Sequence, residues 1–444
     1  MALSGLDIYK LLPKTNCKDC GFSTCLAFAM ALAQKKTSLE KCPHITASAR
    51  QALESASQPP IKLVTIGLGS QKLEIGNESV MYRHEQKFHH PAAIGFLVED
   101  TLPDSDIDTA LADIKKLDFE RVGQRIAANI VCVRNTSGDR DRFAAAVKRI
   151  AVGAGLCLAL EGSDHSVMAE AVKLVKDRRP LVICGAGGDL SEFIAIVKGS
   201  NLPLAVTCQT LEDAVQMTES AKKAGVEEIV INLNEKEMSK KIQGITYARR
   251  AALKKNFRAL GYPVLTFTSM TEPLLELAEA VSYVLKYAGI VIMKNRTKEV
   301  VFPLLTVRQD IYQDPQKPVQ VESRIYEIGK VTKDSPVAVT TNFSITYFTV
   351  AGEVEASKVP TYIICCDAEG MSVLTAWAAE KFTAETIAAM LKKSGIESIV
   401  SHKKVIIPGY VSVLSGKLEE VSGWKVLVGP REASGIPNYL RNLK

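Results

Sequence analysis

Ala93-Ile94-Gly95-Phe96-Leu97-Val98 is the first of a series of apolar runs whose spacing decides the fold. Its successors are Asn129–Val133, Leu156–Leu160, Pro180–Cys184, Pro203–Thr207, Glu228–Ile231, Pro263–Phe267 and Gly289–Met293. A run without polar alternation reads as a strand covered on both faces, the condition of a parallel sheet. Between neighbouring runs lie stretches able to form helices, such as Arg142–Val152 and Leu211–Ala224. Eight such units in about 200 residues predict a closed β/α barrel of the TIM type, spanning 93–310.

Working outward, Ile61–Gly67 and Leu73–Gly76 read as a hairpin within a linking region at 58–92. His84, His89 and His90 follow, and with no fourth ligand in view they read as a polar loop. Upstream, Ser55-Ala56-Ser57-Gln58-Pro59-Pro60 reads as a linker. It closes a small helical module at 1–57, in which Ser4 and Ser23 are the expected helix caps and Pro13 a helix stop. Downstream, Pro303 to Asp334 reads as a connection. The sequence from 325 to 444 then restarts with apolar runs at Val337–Thr340, Tyr347–Val350, Thr361–Cys366, Val405–Ile407 and Lys425–Val428. With helical stretches at Leu374–Lys381 and Ala384–Ser394, this predicts an open, Rossmann-like α/β domain.

The module carries the sharpest chemical signal. Cys17, Cys20, Cys25 and Cys42 are spaced C-x2-C-x4-C-x16-C, with Pro43 after the last. Four thiolates so close suit an iron–sulfur cluster or a zinc ion. One tight run plus a distant Cys-Pro favours a [4Fe-4S] cluster over zinc, and Gly21 leaves room for the inorganic core. A disulfide pair is the third reading, set aside because the chain reads as cytoplasmic, where thiols stay reduced. The other cysteines, Cys132, Cys157, Cys184, Cys208, Cys365 and Cys366, lie inside apolar runs and read as core.

Composition narrows the class. The formal charge is +6, with 55 basic residues interleaved among 49 acidic ones. No basic face alternates with aromatics, so nucleic acid is not an expected partner. No apolar run reaches the roughly 18 residues of a membrane-spanning helix, and no leader is read.

The carboxyl ends of the barrel runs offer Asp100, Asn135, Glu161, Gly185, Gln209, Asn234, Ser269 and Lys294. That polar set suits a pterin-like ring. Yet no nucleophile is paired with a base, and the glycines Gly185-Ala186-Gly187-Gly188 lack the full dinucleotide spacing. The barrel therefore reads as scaffold and docking surface, and no catalytic residue is assigned. In the last domain, glycines follow strand ends at Gly370, Gly409 and Gly429, and Thr340, Thr341, Asn342, Ser344 and Thr346 form a hydroxyl-rich edge. Ligands of open α/β sheets sit at such ends.

Taken together, Cys17-Lys18-Asp19-Cys20-Gly21 with Cys25 and Cys42-Pro43, the run Phe28-Ala29-Met30-Ala31-Leu32-Ala33, the barrel and the final domain give a chain that resembles the large (gamma) subunits of corrinoid iron–sulfur proteins of acetogens and methanogens. The resemblance covers the whole length. It implies a methyl carrier of the reductive acetyl-CoA pathway, classed with corrinoid methyltransferases, whose corrinoid is bound by the C-terminal domain. It makes Cys17, Cys20, Cys25 and Cys42 the cluster ligands. It places corrinoid contacts on Thr340, Thr346, Gly370, Met371, Ser372, Val373 and Ala433, with Thr375 under the lower face of the cobalt. The implied partners are the small subunit, a methyltetrahydrofolate:corrinoid methyltransferase and CO dehydrogenase/acetyl-CoA synthase. None of the six histidines stands in a D-x-H-x-x-G context, so the cobalt is expected base-off without a histidine ligand. The alternative readings are a barrel that transfers the methyl group of a methyltetrahydropterin by itself, and an electron-transfer subunit without corrinoid.

Overall fold

The computed structural model describes residues 5–33, 36–46, 49–50, 53 and 59–443. The expected cap Ser4 and most of the expected linker, 55–58, lie outside the described residues.

The chain forms two compact units, one of residues 1–118 and 127–312, the other of 119–126 and 313–444. The first begins with the helices Gly5–Leu11 and Cys25–Ala33 and a short turn of helix at Leu39–Lys41. The first helix ends just short of Pro13, whose ring disfavours a helical residue before it. The second starts at Cys25, one residue later than a Ser23 cap requires. Thr24 caps it instead, its hydroxyl accepting from the Ala27 N–H at 3.1 Å.

Strands β1 (Val64–Ile66) and β2 (Leu73–Ile75) pair antiparallel, as the hairpin reading expects. All eight apolar runs then become barrel strands: β3 (Ala93–Glu99), and, after a hairpin of β4 (Asp118–Arg121) and β5 (Gln124–Ala127), β6 (Ile130–Arg134), β7 (Cys157–Gly162), β8 (Leu181–Cys184), β9 (Leu204–Cys208), β10 (Ile229–Leu233), β11 (Val264–Phe267) and β12 (Ile290–Met293). They pair in chain order and close where β12 meets β3 in parallel register. Alternate residues face inward, so Cys132, Ala159, Ile183, Ala205, Val230, Leu265 and Ile292 fill a dry interior. Val64, Ile66 and Ile75 of the hairpin join that cluster and cover its amino end, where the Cys157 thiol points to the carbonyl of Gln71 at 2.6 Å.

The helices following β6, β7 and β8 are capped by Asp139, Asp164 and Asp189, carboxylates placed at the positive ends of helix dipoles. Asp189 thus occupies the helix end beside Gly185–Gly188, leaving that glycine loop no vacant anion site. The three histidines do not gather. His90 bonds the Gly76 carbonyl at 2.8 Å, His89 lies 3.3 Å from Gln86, and His84 stacks on Tyr82.

The second unit is an open sheet of five strands in the order β13-β15-β14-β16-β17, where β13 is Ile325–Ile328, β14 Val337–Thr341, β15 Thr361–Cys366, β16 Lys404–Ile407 and β17 Lys425–Val428. Only the edge strand β13 runs antiparallel. One face carries the helices Ala384–Ser394 and Ser415–Ser422 over a core with Ile364, Ile407 and Trp424. The other carries the helices Ser344–Ser357 and Ile436–Arg441 over Tyr347, Val354, Ile363 and Ile406.

Three segments depart from the sequence reading. Tyr347–Val350, expected as a strand, lies inside the helix Ser344–Ser357. Its β-branched and aromatic residues favour a strand locally, but Tyr347, Val350, Ala351 and Val354 recur at helical spacing and pack on the sheet. Pro303, expected in a connection, sits within the helix Lys298–Ile311. The bond it cannot give lies near the helix start, and burial of Val300, Val301, Leu304 and Leu305 holds the helix together. The hairpin β4–β5 falls inside the expected barrel range but belongs to the second unit, with Val321 and Tyr326 against Gly123.

Candidate functional site

In the second unit, β14 is followed in the chain by its neighbour on one side, β15, and then by its neighbour on the other, β16. The connections therefore diverge at the carboxyl ends of β14 and β16, where open α/β sheets bind ligands. The two strands share a single registered pair, Ala338 opposite Ile406. At their carboxyl ends lies a cavity of about 280 Å³. Its floor is Val339, Thr340, Ile406 and Ile407, its wall Thr346, Val350, Val354, Ile436, Tyr439 and Leu440, and its lip Ser372–Leu374, Pro408, Tyr410 and Gly429–Arg431.

The lining is mostly apolar, but one hydroxyl at its floor is unusual. Thr340 is 1% exposed and its hydroxyl has no hydrogen-bond partner; the nearby Thr341 and Ser344 hydroxyls are also buried and unpartnered but do not line the cavity. A buried unpaired polar group costs about 1–3 kcal/mol, and Thr340 marks a place at the floor for something polar. The lip is fixed by backbone contacts: a side chain at Gly409 would meet the Gly429 carbonyl at 2.6 Å, so only glycine fits there. The Tyr410 hydroxyl donates to Glu432 across the same lip.

Of the residues expected here, Thr340, Thr346, Ser372, Val373 and Ala433 line the cavity. Gly370, Met371 and Thr375 do not. Asn342 accepts from the N–H groups of Ala368 and Gly370 at 3.0 and 3.1 Å, which pins the turn around Gly370, at φ +72°, away from the cavity. Met371 packs on the core of the opposite sheet face. Thr375 is exposed on the short helix Val373–Ala378, its hydroxyl 2.9 Å from that of Ser372 at the lip. Tyr410, Arg431, Ile436 and Tyr439 were not expected. They come from loops and a short terminal helix whose role emerges only once the strands are paired. Among the described residues no histidine lines the cavity: His402 bonds the Ser335 carbonyl at 3.0 Å ahead of β16, at the other end of the strand.

The N-terminal thiols form a second candidate site. Cys25 and Cys42 are buried in one apolar cluster with Ile8, Leu12 and Phe28, Cys20 packs against it, and Cys17 is exposed. Asn16 bonds twice to Cys25: its side-chain carbonyl accepts from the Cys25 N–H at 2.8 Å, and its own N–H lies 3.4 Å from the sulfur. An N–H aimed at a thiolate sulfur stabilises its charge and tunes the potential of a bound cluster. The backbone turns sharply through Asn16, Lys18 and Gly21, all at positive φ. Asp19 lies 2.6 Å from His44, and these two with Cys17 are close enough to hold an ion as well. The six core cysteines are buried, and burial pushes the Cys365 thiol up to about 12 and the Cys157 and Cys184 thiols to about 11. Such thiols are inert.

At the barrel's carboxyl end, buried carboxylates tie down loops. Asp100 accepts from the N–H groups of Thr136 and Ser137 and from the Asn135 amide. Glu276 accepts from the Lys294 and Asn295 N–H groups and the Thr268 hydroxyl, and Glu279 from Ser269, Met270 and Tyr283.

A family model described as the CO dehydrogenase/acetyl-CoA synthase delta subunit matches residues 63–440, and one for an Fe-S cluster matches 12–44. The corrinoid/iron-sulfur protein large subunit of Moorella thermoacetica is 44% identical over 99% of both chains. The acetyl-CoA decarbonylase/synthase complex subunit gamma of Methanothermobacter thermautotrophicus is 32% identical over 100% of this chain and 99% of its own. Among solved structures, dihydropteroate synthase from Thermus thermophilus aligns with 57% of this chain and all of that one, at 13% identity and a TM-score of 0.39, too low to support an inference. The delta-subunit model begins after the cysteine cluster, whereas the full-length relatives cover it, and the chain belongs to the family of corrinoid/iron-sulfur protein large subunits and acetyl-CoA decarbonylase/synthase gamma subunits.

Proposed function

We propose that this chain is the large subunit of a corrinoid iron–sulfur methyl carrier in the reductive acetyl-CoA pathway, working in a reducing cytoplasm. The observation that carries the reading is the cavity at the carboxyl ends of β14 and β16, with the unpartnered Thr340 hydroxyl at its floor. The residues present fit a corrinoid. An apolar wall with a few polar atoms at its floor suits a large, mostly apolar cofactor with polar arms. The volume of about 280 Å³ admits such an arm and not the whole macrocycle. When bound, the corrinoid supplies a Co(I) nucleophile that takes a methyl group from methyltetrahydrofolate by way of a methyltransferase and yields it to acetyl-CoA synthase, while a [4Fe-4S] cluster supplies the electron that restores Co(I) from Co(II).

The chain's own residues bind and orient. Thr340 would give a hydrogen bond at the cavity floor, and Thr346, Ser372, Val373 and Ala433 would line the arm. Gly370 and Met371 shape the neighbouring turn, and Thr375, exposed beside Ser372, remains the residue proposed to face the cobalt. Cys17, Cys20, Cys25 and Cys42 would hold the cluster, with the Asn16 N–H beside Cys25 as a tuning contact. The partners proposed are the small subunit, the methyltransferase and CO dehydrogenase/acetyl-CoA synthase.

The test is metal and corrinoid analysis of anaerobically prepared protein with its small subunit. About one cobalt per four irons is expected. Iron without cobalt would leave an electron-transfer subunit, and zinc without iron would remove the redox role. In the loaded protein, Cys20→Ala should abolish reductive reactivation and spare methyl transfer from pre-reduced cobalt; equal loss of both would make the cluster structural.

A further inference from the structure

The four thiols proposed to hold the cluster do not stand in equivalent surroundings. Cys25 and Cys42 are buried in the apolar cluster around Phe28, and Cys20 packs against it. Cys17 alone of the four is exposed. Beside it stand two further exposed donors, Asp19 from the cysteine-rich loop and His44 from just past Cys42-Pro43. The Cys17 sulfur, an Asp19 carboxylate oxygen and a ring nitrogen of His44 all lie within 4.8 Å of one another. Among the described residues none of the other three cysteines belongs to such a group.

Donors on one tetrahedral metal ion stand roughly 3.4–3.8 Å apart, given bonds of about 2.0–2.3 Å. Small rotations of exposed side chains cover the difference. Asp19 is the better placed of the two, because its carboxylate already accepts from the Cys17 thiol. On its other side it lies 2.6 Å from His44 Nε2. An exposed carboxylate–imidazole pair adds little to stability, so the fold does not need this one. What the pair does is hold a hard oxygen donor against the sulfur that solvent reaches, as outer partners orient metal-binding carboxylates.

We propose that Asp19 is a reserve ligand at the Cys17 corner of the cluster. Its carboxylate oxygen holds that corner's iron when the Cys17 thiolate is not bound, and His44 is its positioning residue. The inference rests on the iron–sulfur reading above and concerns one corner only. Its test is the iron content of the anaerobically prepared full chain with its small subunit. Cys17→Ala should keep close to the wild-type iron, whereas Cys20→Ala, Cys42→Ala and the double variant Cys17→Ala/Asp19→Ala should fall well below it. The reduced cluster of Cys17→Ala should also change its electron paramagnetic resonance signal, since one ligand has passed from sulfur to oxygen. With Cys17 intact, Asp19→Ala should release iron to a chelator about 10-fold faster than wild type, and His44→Ala by a smaller factor. Asp7→Ala, which removes an exposed acid paired with Lys10 on the same module, should release it at the wild-type rate. A wild-type rate in Asp19→Ala overturns the inference, and so does a double variant that keeps its iron. The chelator rate decides the matter even if Cys17→Ala does not fold. Wild-type protein without iron would instead overturn the cluster reading itself.

Discussion

The barrel and the C-terminal sheet both end parallel strands in loops at a carboxyl edge, yet they treat the polar groups there in opposite ways. Around the barrel, Asp100, Glu276 and Glu279 are each bonded to several N–H or hydroxyl groups. At the end of β14, the hydroxyls of Thr340, Thr341 and Ser344 have no hydrogen-bond partner. The contrast separates polar residues that hold a fold from polar residues that await a ligand. Residue type does not distinguish the two, since hydroxyls occur in both regions. Satisfaction does.

The comparison can be tested by substitution. Glu276→Ala strands the N–H groups of Lys294 and Asn295 and the Thr268 hydroxyl in a buried setting, and should cost about 3–5 kcal/mol in the urea unfolding of the barrel. Thr340→Val should behave in the reverse sense. In cofactor-free protein it should be neutral or stabilising by up to about 1 kcal/mol, while corrinoid binding weakens about 10-fold. Destabilisation on the barrel's scale would make that hydroxyl structural and break the contrast.

A smaller effect lies within the barrel mouth itself. Burial would raise the Glu279 carboxyl, but bonds from the Tyr283 hydroxyl, Met270 and Ser269 outweigh it and hold the group below the ordinary glutamate range, with Lys241 nearby. Its contribution is therefore present above about pH 4 and is lost as pH falls through the lowered value. Glu161 is shifted the other way, raised chiefly by burial and further by Glu99, against the pull of Arg134. Its folded state is favoured at low pH, and that advantage is lost as pH rises from about 4 through the raised value. Melting curves of Glu279→Gln and Glu161→Gln against pH should differ from wild type with slopes of opposite sign. The smallest effect is expected from Lys381→Ala, which removes an exposed pair with Glu369. Stability should move by less than about 0.5 kcal/mol.

The barrel was legible because each of its strands is apolar on both faces, so β3 and β6 to β12 could be placed from runs such as Ala93–Val98 and Gly289–Met293. The hairpin β4–β5 was not: Asp118–Arg121 is exposed and charged, and no apolar pattern announces it. The helix Ser344–Ser357 was misread because its β-branched residues follow local propensity, while the sheet beneath decides its form. The cavity was half legible. Thr340, Thr346, Ser372, Val373 and Ala433 follow strand ends or precede helices, so the rule about carboxyl edges reaches them. Tyr410, Arg431 and Tyr439 meet only through tertiary packing. The unpaired state of Thr340 is likewise invisible in a string of letters.

The lone rung joining β14 to β16 has a mechanical consequence. The sheet is least laced at that boundary, and an occupant resting on the ends of both strands would hold them together. Amide exchange at the ends of those strands should then slow when the cavity is filled, far more than at the fully laced boundary between β14 and β15.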